Sequence, residues 1–390
     1  MEIDRYRTID GLRGIAAMAV IVQHCLEFSP LNNPSATIAS PIAYLFVNDF
    51  NFGRFGVILF FFISGFLIPS SIANQPKPLV SFAIGRLFRL YPLYWFSVVL
   101  AIAVMAVLGM KLPSLAMVLA NTTMFQLLLG FENILYPYWT LLIEHFFYIL
   151  CALLFVVGAL HSALRMQYVA ALAAGGIILL SCVLIALPAI KYAKPAADLM
   201  YTASFLFAMI VGHNIRMAQG SDQRQARVLI AAAFVVVFAF IFVARVRVGG
   251  YSLLLSPASV FFSTVGALAV FLLALRWRAF TSAAFVYLGR VSYGLYLFHG
   301  IALWVAMALI GKSGGTLHFA LLILLVFGLA LATSALTFNL VEEPFIALGK
   351  LIRRRVVRNA GHKAPVAALF PSPAEVTQED ALQPFSKEAT

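Results

Sequence analysis

Arg13 and His24 stand eleven residues apart in RYRTIDGLRGIAAMAVIVQH, residues 5–24. On a continuous helix that spacing is about three turns, which puts both side chains on one face, roughly 16 Å apart along the axis. The stretch turns apolar at Ile15, so the imidazole belongs to a membrane span and is expected near mid-bilayer. An ionisable group there is costly, and its usual reason is function. A neutral imidazole in that position can take a proton from a hydroxyl as general base, or carry an acyl group transiently. Arg13 alone would be an interfacial anchor; in register with His24 it reads as part of a site.

Three other stretches carry groups of the same kind. In GRLFRLYPLYW, residues 85–95, Arg86 and Arg89 are three apart and share a helical face, as bidentate binding of phosphate requires. Ordinary interfacial charge followed by interfacial aromatics explains the same spacing equally well. In YWTLLIEHFFY, residues 138–148, Glu144 lies about one turn inside a span. A carboxylate there needs a partner or a cavity; it could orient an imidazole, bind a sugar hydroxyl, or pair with an arginine. His145 points about 100° away and is left without a role. In LGRVSYGLYLFHG, residues 288–300, Tyr293, Tyr296 and His299 follow at i, i+3 spacing and form a polar stripe. Finally, Ser64-Gly65 within GVILFFFISGFLIP (56–69) marks close helix packing.

The elements that position these groups follow from composition. Of 390 residues, 63% are hydrophobic and 11% charged, which excludes a soluble globular chain and predicts an all-α membrane protein, a polytopic bundle. Apolar runs place ten spans, at about 14–30, 54–74, 91–110, 139–160, 167–187, 197–217, 228–246, 254–275, 292–311 and 317–340. The segment 112–131 is apolar but interrupted by Asn121, Thr122, Thr123 and Gln126. If it does not cross and the N-terminus is inside, twenty of the 27 lysines and arginines fall on the cytoplasmic side; if it crosses, only eleven do. The positive-inside rule therefore makes it a re-entrant or surface-lying piece on the outer side, and puts both termini in the cytoplasm. Residues 1–348 form the transmembrane domain. Residues 349–390 form a basic, disordered cytoplasmic tail that opens with Arg353, Arg354, Arg355 and Arg358. The net charge of +12 sits in short loops and this tail, which argues for membrane lipids rather than nucleic acid as its partner. Cys25, Cys151 and Cys182 fit neither a disulfide framework nor a metal site, no metal is expected, and no cleavable signal peptide or appended soluble domain is apparent.

In series, IDGLRGIAA ending in His24, GVILFFFISGFLI, RLFRLYPLYW, WTLLIEHFFY, SYGLYLFH and EEPF resemble the acyltransferase-3 family of integral membrane acyltransferases, from about Arg5 to Leu348. The resemblance implies transfer of acetyl or another short acyl group from acetyl-CoA or a related acyl-CoA. Acceptors in that family are hydroxyls of lipopolysaccharide O-antigen, exopolysaccharide, Nod factor, peptidoglycan or macrolides. It implies an Arg-x10-His pair at Arg13 and His24, an Arg-x-x-Arg pair at Arg86 and Arg89, a site carboxylate at Glu144, and a motif histidine at His299. Thr140 and Gly294 depart mildly from the family pattern, where serine and a small polar residue are common.

The expectation is thus an inner-membrane, multi-pass O-acetyltransferase. Catalytic roles fall to His24 and Glu144, donor binding to Arg13, Arg86 and Arg89, and substrate contacts to Tyr296 and His299. A carbohydrate or glycolipid would be the acceptor, and polysaccharide-assembly proteins its partners. Glu144, on the outer half of the bundle, would orient His24 or hold the acceptor. The competing class is a secondary transporter or polysaccharide exporter, against which stands the absence of repeat symmetry among the spans.

Overall fold

A computed structural model describes residues 2–27, 50–73, 77–189, 192–219, 223–249, 256–311 and 316–358. Among them the regular structure is helical throughout: α1 (Glu2–Glu27), α2 (Phe52–Leu67), α3 (Pro78–Val107), α4 (Leu115–Thr122), α5 (Trp139–Val156), α6 (Ala163–Ala186), α7 (Ala193–Met217), α8 (Arg224–Val248), α9 (Pro257–Trp277), α10 (Ala283–Arg290), α11 (Ser292–Ile310), α12 (Thr316–Thr337) and α13 (Glu343–Arg358). Nine helices among the described residues are long and apolar enough to cross a membrane. The tenth expected span, 54–74, is α2, which has only 16 residues and so reaches about 24 Å.

α2 is apolar and buried on nearly all sides, as a central helix should be. It packs against α1, α7 and α9. The α2–α7 crossing depends on two glycines: a Cβ on Gly65 would collide with the Met209 carbonyl of α7, and one on Gly212 with the Phe62 carbonyl of α2. The small residues at Ser64-Gly65 therefore serve close packing, as their type suggested. Phe62 stacks on Phe271 at 5.5 Å and meets Phe234 at 5.2 Å, which ties α2 to α8 and α9. α1 in turn contacts α2, α10, α11 and α12.

The doubtful segment 112–131 holds one eight-residue helix, α4, about 12 Å long and too short to cross. Asn121 and Gln126 are buried in protein, whereas Thr123 is exposed. The Asn121 amide donates to the carbonyls of Met117 and Glu132, its side-chain oxygen accepts from Ile134 N–H, and its carbonyl accepts from the Tyr94 hydroxyl at 2.6 Å. Trp95 and Tyr91 donate to the carbonyls of Thr122 and Thr123. A non-spanning segment at membrane depth is tolerated on these terms.

Two boundaries differ from the sequence expectation. α3 begins at Pro78, thirteen residues before the expected start at 91, so Arg86 and Arg89 lie on a helix rather than in its entry loop. The last span does not stop at 340. A π turn, Phe338–Glu342, joins α12 to α13, and helix continues to Arg358. The first ten residues assigned to the tail, 349–358, are thus helical, while 359–390 lie outside the described residues.

Candidate active site

A cavity of about 480 Å³ opens between α1, α2, α3, α5, α11 and α13, within the size range of small-molecule sites. Arg13, Arg86, Arg89, Lys350 and Arg353 line it, with Glu144 as the carboxylate among its lining residues. Counting Glu342, which pairs with Arg89, five cations meet two carboxylates, and the excess of positive charge in a largely apolar bundle asks for an anionic ligand. α13 supplies its share by helical periodicity: Ile346, Gly349, Lys350 and Arg353 fall on one face. Gly349 lets that face close on Phe88 of α3.

The cations are held differently. Arg89 forms an ion pair with Glu342 at 2.6 Å, the carboxylate being almost fully buried. The π turn carries Glu342, and such turns recur at functional positions in helices. Arg86 donates to the Ser71 hydroxyl at 3.2 Å and sits over the rings of Phe82 and Tyr148. Tyr148 donates to Glu144, its i−4 neighbour on α5. Arg13, Lys350 and Arg353 make no ion pair within 4 Å among the described residues, so their charge remains available to a ligand.

At its inner end the cavity is bounded by Phe60, Thr140 and Tyr296. The Tyr296 hydroxyl lies 2.8 Å from Thr140 Oγ1 and 3.1 Å from the Pro137 carbonyl. Threonine in place of serine at 140 thus keeps the hydroxyl that this contact needs. Gly294, the other departure from the family pattern, lies against Ser334, where a Cβ would crowd α12.

His24 lies beyond that wall. It does not line the cavity; it stacks on His299 with centroids 5.1 Å apart, and His299 also packs against Tyr296 at 5.8 Å. Its Nδ1 is 2.9 Å from Glu27 Oε2, so with a carboxylate accepting there, Nδ1 carries the proton and Nε2 is left as the base. His299 Nδ1 is likewise 2.8 Å from the Tyr296 carbonyl. This is a histidine–carboxylate pair in the geometry that fixes a tautomer for general-base chemistry.

Two expectations need correction. Glu144 is not the carboxylate on His24; it belongs to the basic cavity, and Glu27 holds the imidazole. His24 is not at mid-helix either, since it lies in the last turn of α1 as described, beside the exposed Tyr136 in the turn that precedes α5. Arg13, Arg86, Arg89, Glu144 and Tyr296 are brought together around one cavity, whereas His24 and His299 form a second cluster behind it. His145 Nδ1 donates to the Leu141 carbonyl at 2.8 Å, and its ring packs among Tyr91, Phe125 and Tyr148. Glu27 was readable at i+3 from His24, and Glu342 lay in the EEPF stretch, but neither spacing alone distinguished a partner from an interfacial charge. Among the described residues no three metal-binding side chains cluster.

The family model for an acyltransferase domain, Acyl_transf_3, matches residues 6–338. The chain belongs to the acyltransferase-3 family. It matches no curated protein and no solved structure. Membership makes it a multi-pass membrane acyltransferase rather than a carrier, and the matched range takes in α1 to α12, with every site residue expected from the sequence. The two clusters differ in chemistry, a basic cavity on one side and a histidine–carboxylate pair on the other.

Proposed function

We propose that this acyltransferase moves an acetyl or other short acyl group from an acyl-CoA to a hydroxyl of a cell-surface or exported glycan or glycolipid. The observation that carries the reading is the placement of the His24–Glu27 pair directly behind the Thr140–Tyr296 wall of a cavity lined by five cations. Lysine and arginine asymmetry puts the basic cavity on the cytoplasmic side, where acyl-CoA is found.

The donor's phosphates meet Lys350, Arg353, Arg86 and Arg89, and the thioester arm runs past Arg13 toward Tyr296. The roughly 16 Å from Arg13 to His24 is within reach of an extended pantetheine. The acceptor hydroxyl arrives from the opposite end, where His24 and Glu27 retain 15% and 20% side-chain exposure. His24 Nε2 takes the hydroxyl proton, the oxygen attacks the thioester carbonyl, and the carbon–sulfur bond breaks. The coenzyme A thiolate leaves and recovers the proton from the imidazolium, which Glu27 stabilises. Direct transfer by this route needs no acyl-enzyme.

The test is incorporation of label from acetyl-CoA into the lipid or glycan fraction of membranes bearing the protein. Incorporation that His24→Ala abolishes supports the proposal. Equal incorporation with His24→Ala would remove the histidine from the mechanism, and no incorporation from any short-chain acyl-CoA would remove the donor class.

A further inference from the structure

Arg54 is the most anomalous charge in the molecule. It lies in the first turn of α2, at the end of the bundle that carries His24, and is only 8% exposed. Its Nε and Nη1 are fully buried and bond to nothing, and no carboxylate approaches within 4 Å among the described residues. What the guanidinium does meet is the face of Tyr201, 4.7 Å from the ring centroid. Arg245 lies over the same ring at 5.2 Å and is itself 3.9 Å from Asp198. A ring face is a weak counterweight for a charge removed from water, and a second cation on the ring makes it weaker.

The backbone around Arg54 has its partners. Asn51 Oδ1 accepts from Arg54 N–H at 2.7 Å, Ser263 Oγ accepts from Asn51 N–H, and Gln23 Oε1 accepts from Phe52 N–H at 2.9 Å. The same Gln23 donates to Glu27 Oε1 at 3.2 Å, and Glu27 holds His24. Arg54 therefore sits on a turn fixed, through one glutamine, to the catalytic pair. The Tyr136 side chain, whose ring meets His24 edge-on at 5.5 Å, is also within electrostatic range of Arg54. A buried, rigidly mounted and unpaired guanidinium on a turn tied to the base through Gln23 is a binding group waiting for an anion.

We infer that Arg54 is the anchor of a second anion site, on the acceptor side, which holds a phosphate or carboxylate of the acceptor and so presents its hydroxyl to His24. This rests on the acyltransfer reading for the identity of the ligand, but the existence of the site does not. The enzyme would accordingly choose acidic glycans or phosphate-linked glycolipids over neutral sugars.

Purified full-length protein in a neutral detergent tests it. Arg54→Met removes the charge while keeping bulk, and Arg54→Lys keeps the charge. Removing an unpaired buried charge should leave the melting temperature equal to or above that of the wild type; a fall would show a structural role and overturn the proposal. Inorganic phosphate should stabilise the wild type and Arg89→Ala, with that part of the response lost in Arg54→Met and partly restored in Arg54→Lys. An identical phosphate response in wild type and Arg54→Met would overturn it. Nanodiscs of phosphatidylglycerol against phosphatidylcholine separate the sources. If phosphatidylglycerol alone abolishes the Arg54-dependent response, the site belongs to a lipid headgroup and the acceptor assignment fails. In membranes, Arg54→Met should lose tenfold or more of label transfer from acetyl-CoA at an unchanged KM for acetyl-CoA, and a change confined to the donor KM would count against it. If the wild type transfers no label, the acyltransfer reading falls, while the phosphate response still decides the anion site.

Discussion

His24 and Glu27 form a pair within one turn of α1, Nδ1 to Oε2 at 2.9 Å. The helix itself supplies the carboxylate that fixes the imidazole, so the base is oriented before any substrate enters. Orientation of this kind separates a histidine that can accept a proton at Nε2 from one that presents the wrong tautomer.

Glu27→Gln keeps shape and removes charge. Label transfer from acyl-CoA should drop by about 10²–10⁴-fold in kcat, the range over which general-base assistance operates, with donor KM unchanged. Glu144→Gln should behave differently, because Glu144 faces the cations of the cavity: its main effect should be on donor KM. Steady-state kinetics on both variants distinguishes them, and a kcat loss confined to Glu144→Gln would reverse the assignment.

Arg86→Ala and Arg89→Ala should each raise the KM for acyl-CoA several-fold, with the effect shrinking at high ionic strength as screening replaces the lost contact. Donor titrations at two salt concentrations read this out. An unchanged donor dependence would detach the pair from donor binding.

Glu342→Ala leaves Arg89 without its carboxylate in a site where the acid is almost wholly buried. Breaking such a pair from one side costs about 3 kcal/mol, seen as a lower thermal midpoint in detergent. The double variant Arg89→Met/Glu342→Leu should recover most of that stability and none of the donor binding. Failure of the double variant to recover would show that the pair contributes net stability.

Gly65→Ala and Gly212→Ala place a methyl against the facing carbonyl at the α2–α7 crossing. Each should destabilise by about 1–3 kcal/mol, because the obstacle is backbone that cannot rotate away. Thermal denaturation of purified protein measures it, and neutral substitutions would mean that the two helices separate more readily than this packing implies.

The bundle was legible from apolar run length alone, since a chain must hide its backbone in lipid in only a few ways. The non-crossing of 112–131 was legible from charge placement and is accounted for by α4 and its buried Asn121. Arg13, Arg86 and Arg89 were recognisable because i, i+3 and i, i+11 spacings define shared helix faces. Their convergence with Lys350 and Arg353 was not, because it depends on how α13 packs against α3, a tertiary contact without a local signature. Which of its possible partners Glu144 meets was illegible for the same reason: its depth in α5 could be read, but the face that α5 turns to its neighbours could not. Arg54 opens the span expected at 54–74, and only its burial separates it from the other cations.

The π turn at Phe338–Glu342 inserts a phase step into an otherwise continuous run of helix. Everything after it is rotated relative to the lipid-facing register of α12, and that rotation aims Lys350 and Arg353 into the cavity. Deleting a single residue between 338 and 342 would restore an uninterrupted α-helix and leave α13 nearly in its present phase, because the wide turn absorbs one extra residue, whereas winding the same five residues as α-helix would swing α13 by about 100°. Lys350 and Arg353 would then face away from Arg86 and Arg89, with no change in their identity. What this short turn must keep is its width, and a substitution that lets it wind as α-helix should be tolerated worse than a one-residue deletion within it.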